Sequence, residues 1–196
     1  MPKKVDHEIR RKELAAAAAA LIAEHGAHRV KLTDVAKRAG CTTGAIVYFF
    51  SNKDALWLEA IRYAYEQQLE GLQSTNANLY EMVRLALPTS PEQEAAWRLS
   101  ISLAEYAVWH SEITEELRPL YRALEDFFRT QCSLAIEQGH LPKNTDIEMT
   151  MSTLWAWLDG LATQATQDPE RWPAHKQEAA LSHVFSLLQW NDSPTK

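Results

Sequence analysis

The chain has 196 residues, of which 46% are apolar and 23% charged, with six Gly, eight Pro and two Cys. This composition is that of an ordinary globular protein of one or two domains, and it excludes collagen-like, low-complexity and disulfide-stapled classes. The first 62 residues carry 11 Lys and Arg against 7 Asp and Glu, whereas the remainder carries 9 against 19. The basic first third predicts contact with a polyanion, and uneven surface charge without a partner is the alternative.

The first predicted element is an alanine-rich helix that ends near Gly26. Apolar residues recur on one helical face at Leu14, Ala17, Ala18, Leu21 and Ile22. Its apolar run of ten residues is about half of what a membrane-spanning helix needs. Acidic residues before the run argue against a secretory leader. We therefore expect a cytoplasmic protein that has no membrane partner.

Residues 32–50, with the sequence LTDVAKRAGCTTGAIVYFF, have the spacing of a helix-turn-helix. Ala36 is small enough for a second helix to cross close over it, Gly40 allows the positive φ of a tight turn, and Ile46 fills the angle between the helices. Thr42 is placed to cap the second helix, whose first residues would then face base edges in a major groove.

The same spacing occurs in ordinary helical hairpins, so the neighbouring residues must distinguish a hairpin from a DNA-binding motif. A basic flank and three successive aromatic residues surround the motif and favour DNA binding; they are Lys31, Lys37, Arg38 and Lys53, together with Tyr48, Phe49 and Phe50.

Four stretches between Leu14 and Leu58 carry a family resemblance: AAxxLIAEHG at 17–26, DVAKRAG at 34–40, TTGAI at 42–46 and FxNKDAL at 50–56. Together they resemble the N-terminal domain of the TetR family of bacterial transcriptional regulators. The resemblance implies an all-α protein with a three-helix DNA-binding domain, residues 1–54, and a larger effector-binding and dimerisation domain, residues 55–196. It also implies a regulator, not an enzyme, that uses no cofactor.

The resemblance further implies which residues contact DNA. The recognition helix would begin at Thr42, and Lys53 would contact a phosphate from the start of the fourth helix. This sequence departs from the family at Ala45, Val47 and Phe49, where Thr, Tyr and often His are common, so a rearranged set of phosphate contacts is expected. The predicted DNA-binding residues are Lys31, Thr33, Thr42, Thr43, Gly44, Ala45, Val47, Tyr48 and Lys53. Ala45 and Val47 are candidates for contact with a thymine methyl, and a core position is an equally good interpretation of Val47.

Capping patterns predict three further helix starts, at Ser51, Ser90 and Thr145, each with a side-chain acceptor three residues later. Two long apolar stripes follow in the second half. The first contains Leu117, Leu120, Tyr121, Leu124, Phe127, Phe128 and Ala135 and is interrupted only by Gln131; the second contains Ile147, Met151, Leu154, Trp155, Leu158, Ala162 and Ala165. No alternation of period two is long enough for a strand, so an all-α fold of about nine helices is expected.

The segment Trp155–Ala162 is similar to the C-terminal domain of BetI-like members of the family. The resemblance implies that helices at about 145–166 and 172–190 pair with their copies in a homodimer, and a two-fold dimer also suits a palindromic operator. The candidate interface residues are Met151, Trp155, Leu158, Leu181, Val184, Phe185 and Leu188. Packing within one chain is the alternative explanation for these residues.

An effector pocket is expected between the helices of residues 55–140. The candidate residues are Tyr63, Trp97, Ile101, Glu105, Tyr106, Trp109 and Phe128. Glu105 is the one acid in the apolar run 101–109, so beside aromatic rings it is suited to a cationic ligand. The alternative is that Glu105 faces solvent while the aromatic residues belong to the core.

The reactive side chains form no catalytic or metal-binding pattern. The seven His have no metal-ligand spacing, and no nucleophile with its acid and base stands out. Cys41 precedes the recognition helix, where it is either a redox-sensitive thiol or a small packing residue.

The sequence thus predicts a homodimeric repressor that binds a double-stranded DNA operator and is released by a small-molecule effector. An activator, a ligand-independent regulator, and a helical enzyme or interaction module are the alternatives. Neither the operator nor the effector follows from the sequence.

Overall fold

A computed structural model describes residues 3–192, with side chains from His7 onward. Nine helices and no strand occur in this part of the chain, which confirms the predicted all-α class. The helices are α1 Lys3–His25, α2 Leu32–Arg38, α3 Thr43–Phe49, α4 Lys53–Gln73, α5 Leu79–Ala86, α6 Pro91–Val108, α7 Ser111–Glu137, α8 Ile147–Gln167 and α9 Ala174–Leu187. None of the helices so described is long and apolar enough to cross a membrane.

The chain forms two compact units that share three helices. The first unit comprises Met1–Gly71 and Ala95–Leu120, and the second comprises Leu72–Glu94 and Tyr121–Lys196. Parts of α4, α6 and α7 therefore belong to each unit. The division into a DNA-binding domain, residues 1–54, and an effector domain, residues 55–196, is a functional one and stays a prediction.

The first unit is built on the helix-turn-helix, in which α1, α2 and α3 pack on one another. Ala36 and Ile46 are both buried, in agreement with the roles predicted from their spacing. Gly40 has a φ of +61° in the turn between α2 and α3, a conformation that a side chain would strain. These residues fix the angle at which α3 leaves the turn.

Capping confirms one of the three predicted helix starts and moves the other two by one residue. Pro91 begins α6, and the amide of Gln93 donates to Ser90 Oγ at 3.3 Å, as predicted. The predicted caps at Ser51 and Thr145 are wrong, because the neighbouring Asn52 and Asp146 accept the amide hydrogen bonds at 2.8 and 3.0 Å. Both residue types are N-cap acceptors at least as good as a hydroxyl residue.

The core of the second unit combines the two predicted stripes with α5 and α9. Leu154 and Leu161 of α8 are buried together with Leu79, Leu181 and Phe185. Helix α7 contributes Cys132 and Ala135 to the same core, more than three turns after Pro119, which lies inside the helix. The second unit therefore carries a continuous apolar interior of its own.

Cys132 offers a test of this interior, because its side chain is fully buried there. Burial raises the pKa of the Cys132 thiol to about 11, since the thiolate would lose its hydration. We expect iodoacetamide at pH 8 to alkylate Cys41, which is half-buried, and to modify Cys132 only when urea unfolds the chain. Mass spectrometry of the peptides measures both sites in one sample. Equal alkylation of the two thiols in the native protein would contradict the described core.

The raised pKa of Cys132 predicts that the stability of the fold depends on pH in the alkaline range. The folded thiol holds its proton more tightly than the unfolded thiol, so this contribution to stability is complete below the ordinary thiol pKa and is lost as the pH rises towards about 11. Urea unfolding of the wild type and of Cys132→Ala between pH 8 and pH 11 separates the contribution of the Cys132 thiol from those of other titrating groups.

Candidate nucleic-acid interface

A side-chain cap fixes the start of α3. Thr42 has an extended backbone, and its Oγ1 accepts the amide hydrogen of Ala45 at 3.1 Å. Ile46 points into the core, which leaves the opposite face of this short helix towards solvent. A helix N-terminus with unpaired amides and positive potential is thereby exposed.

The exposed face of α3 carries most of the residues predicted to contact DNA. Thr42, Thr43 and Gly44 are exposed, and Ala45 is half-buried. Val47 is 53% and Tyr48 75% exposed, so the alternative that placed Val47 in the core is wrong. One short helix thus leaves a large aromatic and a branched apolar side chain in solvent.

The end of α3 is fastened by residues that the sequence reasoning missed. Arg11 of α1 donates hydrogen bonds to the carbonyl oxygen of Phe49 and, at 3.1 Å, to Glu59 of α4. The Arg11 guanidinium also lies 4.4 Å from the centre of the Phe50 ring. His7 packs against Phe49 with ring centres 4.6 Å apart. The two Arg11 hydrogen bonds join residues 38 and 48 positions apart, and no local pattern indicates them.

Two lysines beside α3 are free to neutralise phosphates. Lys31 and Lys37 are exposed, and neither has an ionic partner among the side chains that the structure describes. The Lys31 amide donates to Asp34 at 2.9 Å, which fixes the start of α2. Arg38, by contrast, is paired with Glu24 at 2.8 Å. Thr33 is exposed on the first turn of α2, as a phosphate contact requires.

Lys53 has a partly structural position. Its Nζ lies 3.4 Å from the carbonyl oxygen of Ala27 and 4.8 Å from the centre of the Trp57 ring. Trp57 Nε1 donates to the same carbonyl at 3.3 Å. Lys53 therefore holds the loop after α1.

The Thr42 cap gives a prediction for the geometry of α3. Thr42→Ala removes the acceptor for the Ala45 amide, so we expect the free energy of unfolding to fall by about 1 kcal/mol. Thr42→Ser keeps a hydroxyl in the same place and is the matched control. Urea unfolding followed by circular dichroism measures both variants. Equal stability of the two variants would show that the cap contributes nothing.

A set of contacts within the first unit joins α6 to the loop after α1 and to α4. The Ala27 amide donates to Ser102 Oγ at 2.7 Å, and His28 Nε2 lies 2.6 Å from Glu105 Oε2. The Tyr106 hydroxyl donates to Asp54. Burial, with the neighbouring Asp54 carboxylate, raises the pKa of Tyr106 above its ordinary value, so the hydroxyl keeps its proton.

The structure places the predicted effector residues in several different environments. Tyr106 is buried, whereas Glu105 is exposed and Trp109 is 76% exposed. Phe128 lies in the second unit against Trp155, with ring centres 5.4 Å apart. Tyr63, Trp97 and Ile101 are half-buried. Glu105 thus has the solvent-facing position that the sequence left as the alternative.

A cavity of about 300 Å³ lies in the second unit and is lined by residues between Leu72 and Gln138, within the range 55–140 in which the effector pocket was expected. It is formed by the end of α4, the loop to α5, the first turns of α5 and the second half of α7. None of the seven predicted effector residues lines it. Gln131, which interrupts the apolar stripe of α7 in the sequence, is among the residues that line it.

The predicted dimer residues divide into two groups. Leu181, Val184 and Phe185 are buried within one chain, which is the alternative that the sequence left open for them. Met151, Leu158 and Leu188 are half-buried, and Trp155 is exposed. Met149 and Leu187, which were not predicted, are large exposed apolar residues on α8 and α9.

Comparison with known proteins identifies two matching families. Residues 14–60 match the family described as bacterial regulatory proteins, tetR family, and residues 75–189 match the C-terminal part of BetI-type transcriptional repressors. The HTH-type transcriptional regulator PksA of Bacillus subtilis strain 168 is 26% identical over 195 residues, which is 95% of this chain and 94% of that protein.

Solved structures show the same fold. A transcriptional regulator from Rhodococcus sp. Rha1 aligns over 91% of this chain and 95% of its own, with 26% identity and a TM-score of 0.77. A chain from Saccharomonospora viridis, solved in complex with choline, aligns over 96% of this chain and 99% of its own, with 22% identity and a TM-score of 0.73.

Proposed function

Because the chain belongs to the TetR family of bacterial regulatory proteins, we propose that it is a repressor that binds a palindromic operator as a homodimer and is released by a small molecule. As a member of this family it is a helix-turn-helix transcriptional regulator and not an enzyme. Its place of action is then the bacterial cytoplasm, where the DNA lies.

The exposed face of α3 is the observation that carries the proposal. A major groove admits one α-helix, and the residues that enter first are those after the Thr42 cap. Thr43 offers a hydroxyl to base edges, Gly44 lets the backbone approach, and Val47 offers a methyl surface to thymine. Tyr48 projects from the same helix with a hydroxyl for a phosphate. These assignments keep all nine predicted DNA-binding residues, with Lys53 in a supporting position.

Charge around this face supports binding to phosphates. Lys31 and Lys37 flank α3 without ion-pair partners among the described side chains, so neither must break a bond to reach DNA. Each lysine that neutralises a phosphate releases a condensed counterion. Binding is therefore expected to weaken steeply as salt is added.

A homodimer is supported by α8 and α9. Trp155 and Met149 on α8 and Leu187 on α9 are large apolar residues that the single chain leaves exposed. Ser152, Ala156 and Gly160 follow one another at intervals of four on α8 and are exposed as well, so a second helix can approach closely there. Two recognition helices related by a two-fold axis read a palindrome. Met151, Leu158 and Leu188 would complete the contact from their half-buried positions.

Release by a small molecule requires a connection to α3, and α6 supplies one. Ser102, Glu105 and Tyr106 hold Ala27, His28 and Asp54 beside the helix-turn-helix. All three contacts come from the second half of α6, which runs from Pro91 to Val108. A ligand that favours one position of α6 would thereby change the population competent to bind the operator.

Electrophoretic mobility shift with the DNA just upstream of the chain's own gene tests the proposal. We expect a band that resists non-specific competitor and whose affinity falls steeply with salt. Mixing the native chain with a version enlarged by a fused tag tests the dimer, since a dimer gives a third band of intermediate mobility. Retardation that competitor abolishes, or only two bands in the mixture, would contradict the respective part of the proposal.

A further inference from the structure

Gln131 is the one polar residue on the long apolar stripe of α7, and it lines the cavity of the second unit. We propose that this cavity is the effector site and that it takes an uncharged, amphipathic molecule whose polar group hydrogen-bonds to Gln131. The inference rests on the proposed function, since it assigns the place and the chemical class of the effector that releases the operator.

Gln131 places an amide in the cavity lining at a point where the α7 stripe would otherwise continue with an apolar residue. Its side chain is half-buried among Leu79, Met82, Phe127 and Ala135, where an apolar residue would pack better. Within residues 7–192 its amide has no hydrogen-bond partner in the protein. This amide is therefore available as a donor and as an acceptor, to water or to a ligand. A ligand in the cavity would supply both the missing donor and the missing acceptor.

The rest of the lining is polar without being charged. Gln73, Asn76, Asn78 and Gln138 contribute side-chain amides, and no Asp, Glu, Lys, Arg or His lines the cavity. The Thr75 hydroxyl also lines it but already donates to the carbonyl oxygen of Leu72 at 3.0 Å. Asn78 Oδ1 already accepts the backbone amide hydrogen of Glu81 at 3.0 Å, so the side-chain NH₂ group of Asn78 remains as a donor. Such a lining can match an amide, an alcohol or a ketone by hydrogen bonds.

A charged ligand does not fit this uncharged lining. An ion that enters the cavity loses hydration and meets no opposite charge, so its binding is disfavoured relative to a neutral molecule of equal size. The lining also contains a single aromatic residue, Phe127, whereas quaternary ammonium groups are bound by cages of several rings. The site is therefore built for a different class of molecule from choline, the ligand found in the Saccharomonospora viridis structure.

The volume sets the size of the ligand. A cavity of about 300 Å³ is at the lower end of the range for small-molecule sites. It accommodates on the order of ten non-hydrogen atoms if each occupies roughly the volume of a water molecule. The apolar side, with Leu79, Met82, Phe127 and Leu134, suits a short hydrocarbon chain, and the amide side suits a neutral head group.

Three probes with the same eight-carbon chain separate the alternatives: octanamide is neutral, octanoate is an anion and octyltrimethylammonium is a cation. Isothermal titration calorimetry of the full chain without DNA measures their binding. We expect octanamide to bind saturably, one per chain, and at least about tenfold more tightly than either ion, because only the ions meet an uncompensated desolvation.

Variants assign the binding to Gln131. Gln131→Leu should fold normally, because leucine continues the α7 stripe, and should weaken octanamide binding by about tenfold through the lost hydrogen bonds. Gln68→Leu makes the same change at an exposed position on α4 outside the cavity and is the control. Gln131→Glu introduces a carboxylate and should reverse the preference in favour of octyltrimethylammonium.

Absence of octanamide binding, equal binding of the three probes, tighter binding of an ion to the wild type, or unchanged binding in Gln131→Leu would each overturn the inference. Calorimetry without DNA reports on the cavity alone, whereas mobility shift reports on operator binding. A chain that retains its operator but ignores octanamide contradicts the effector site only. A chain that binds octanamide but no operator contradicts the proposed function only.

Discussion

Replacement of Trp57 by alanine is expected to lower the free energy of unfolding by about 3–5 kcal/mol, which is among the largest effects of any single truncation in a protein core. Trp57 is 0% exposed, at the second turn of α4 in the first unit. The substitution removes the whole indole, and the surrounding residues can collapse into the space only in part. It also removes the Nε1 donor to Ala27 and the ring that faces Lys53.

Trp109→Ala is the matched control for this prediction. Trp109 is a tryptophan of the same unit, but 76% of its surface is exposed, so its removal should change stability by no more than about 0.5 kcal/mol. Urea unfolding at one fixed protein concentration compares the two variants with the wild type. Similar stability of the two variants would mean that the described core of the first unit is wrong.

Val47→Glu is expected to weaken operator binding by about 100-fold or more while the chain stays folded. Val47 is 53% exposed on α3, so the longer side chain has room in the free protein. On DNA it would replace a methyl contact with a carboxylate among phosphates, and each operator would meet the change twice if the chain binds as a dimer. Thr43 and Tyr48 on the same face cannot compensate for a repelling charge.

Val108→Glu is the control for this second prediction. Val108 ends α6, is 77% exposed, and undergoes the same substitution with the same change in net charge. A general effect of an added negative charge would weaken both variants alike, whereas a contact in the groove weakens only Val47→Glu. Mobility shift at several salt concentrations measures both. Equal affinity of Val47→Glu and the wild type would remove α3 from the interface.

The helix-turn-helix was predictable because its signals are local. Gly40, Thr42 and Ile46 act within a few residues of their own positions, and each has the role that its spacing indicated. The caps at Asn52 and Asp146 were misplaced by one residue because two adjacent side chains could each accept the same amide. The choice between them depends on backbone angles that composition does not contain.

Burial was harder to predict than helix position. Ile46 and Val47 are adjacent and both apolar, and a helix of seven residues is too short for periodicity to separate the inner from the outer one. Leu181, Val184 and Phe185 have the apolar pattern that either the chain's own core or a partner would require. Only their contacts show that these three residues belong to the chain's own core.

The contacts that lie far apart in sequence were not predictable at all. Arg11 reaches the end of α3 from α1, and nothing near either residue indicates the pairing. Gln131 was visible as an interruption of a stripe, but its meaning depends on α5 and on the end of α4, which close the cavity around it. Local sequence thus gives the recognition helix, whereas the fold is needed for what surrounds it.

We propose that the exposed faces of α3 from two copies of the chain bind one operator together. Selection of binding sequences by the full chain from a library of random DNA duplexes tests this most directly. We expect enrichment of one inverted repeat whose half-sites lie about one helical turn apart, or a multiple of that distance. Val47→Glu should enrich no such repeat, whereas Val108→Glu should enrich the same one as the wild type. Enrichment of no sequence by the wild type, or of the same repeat by Val47→Glu, would contradict this proposal.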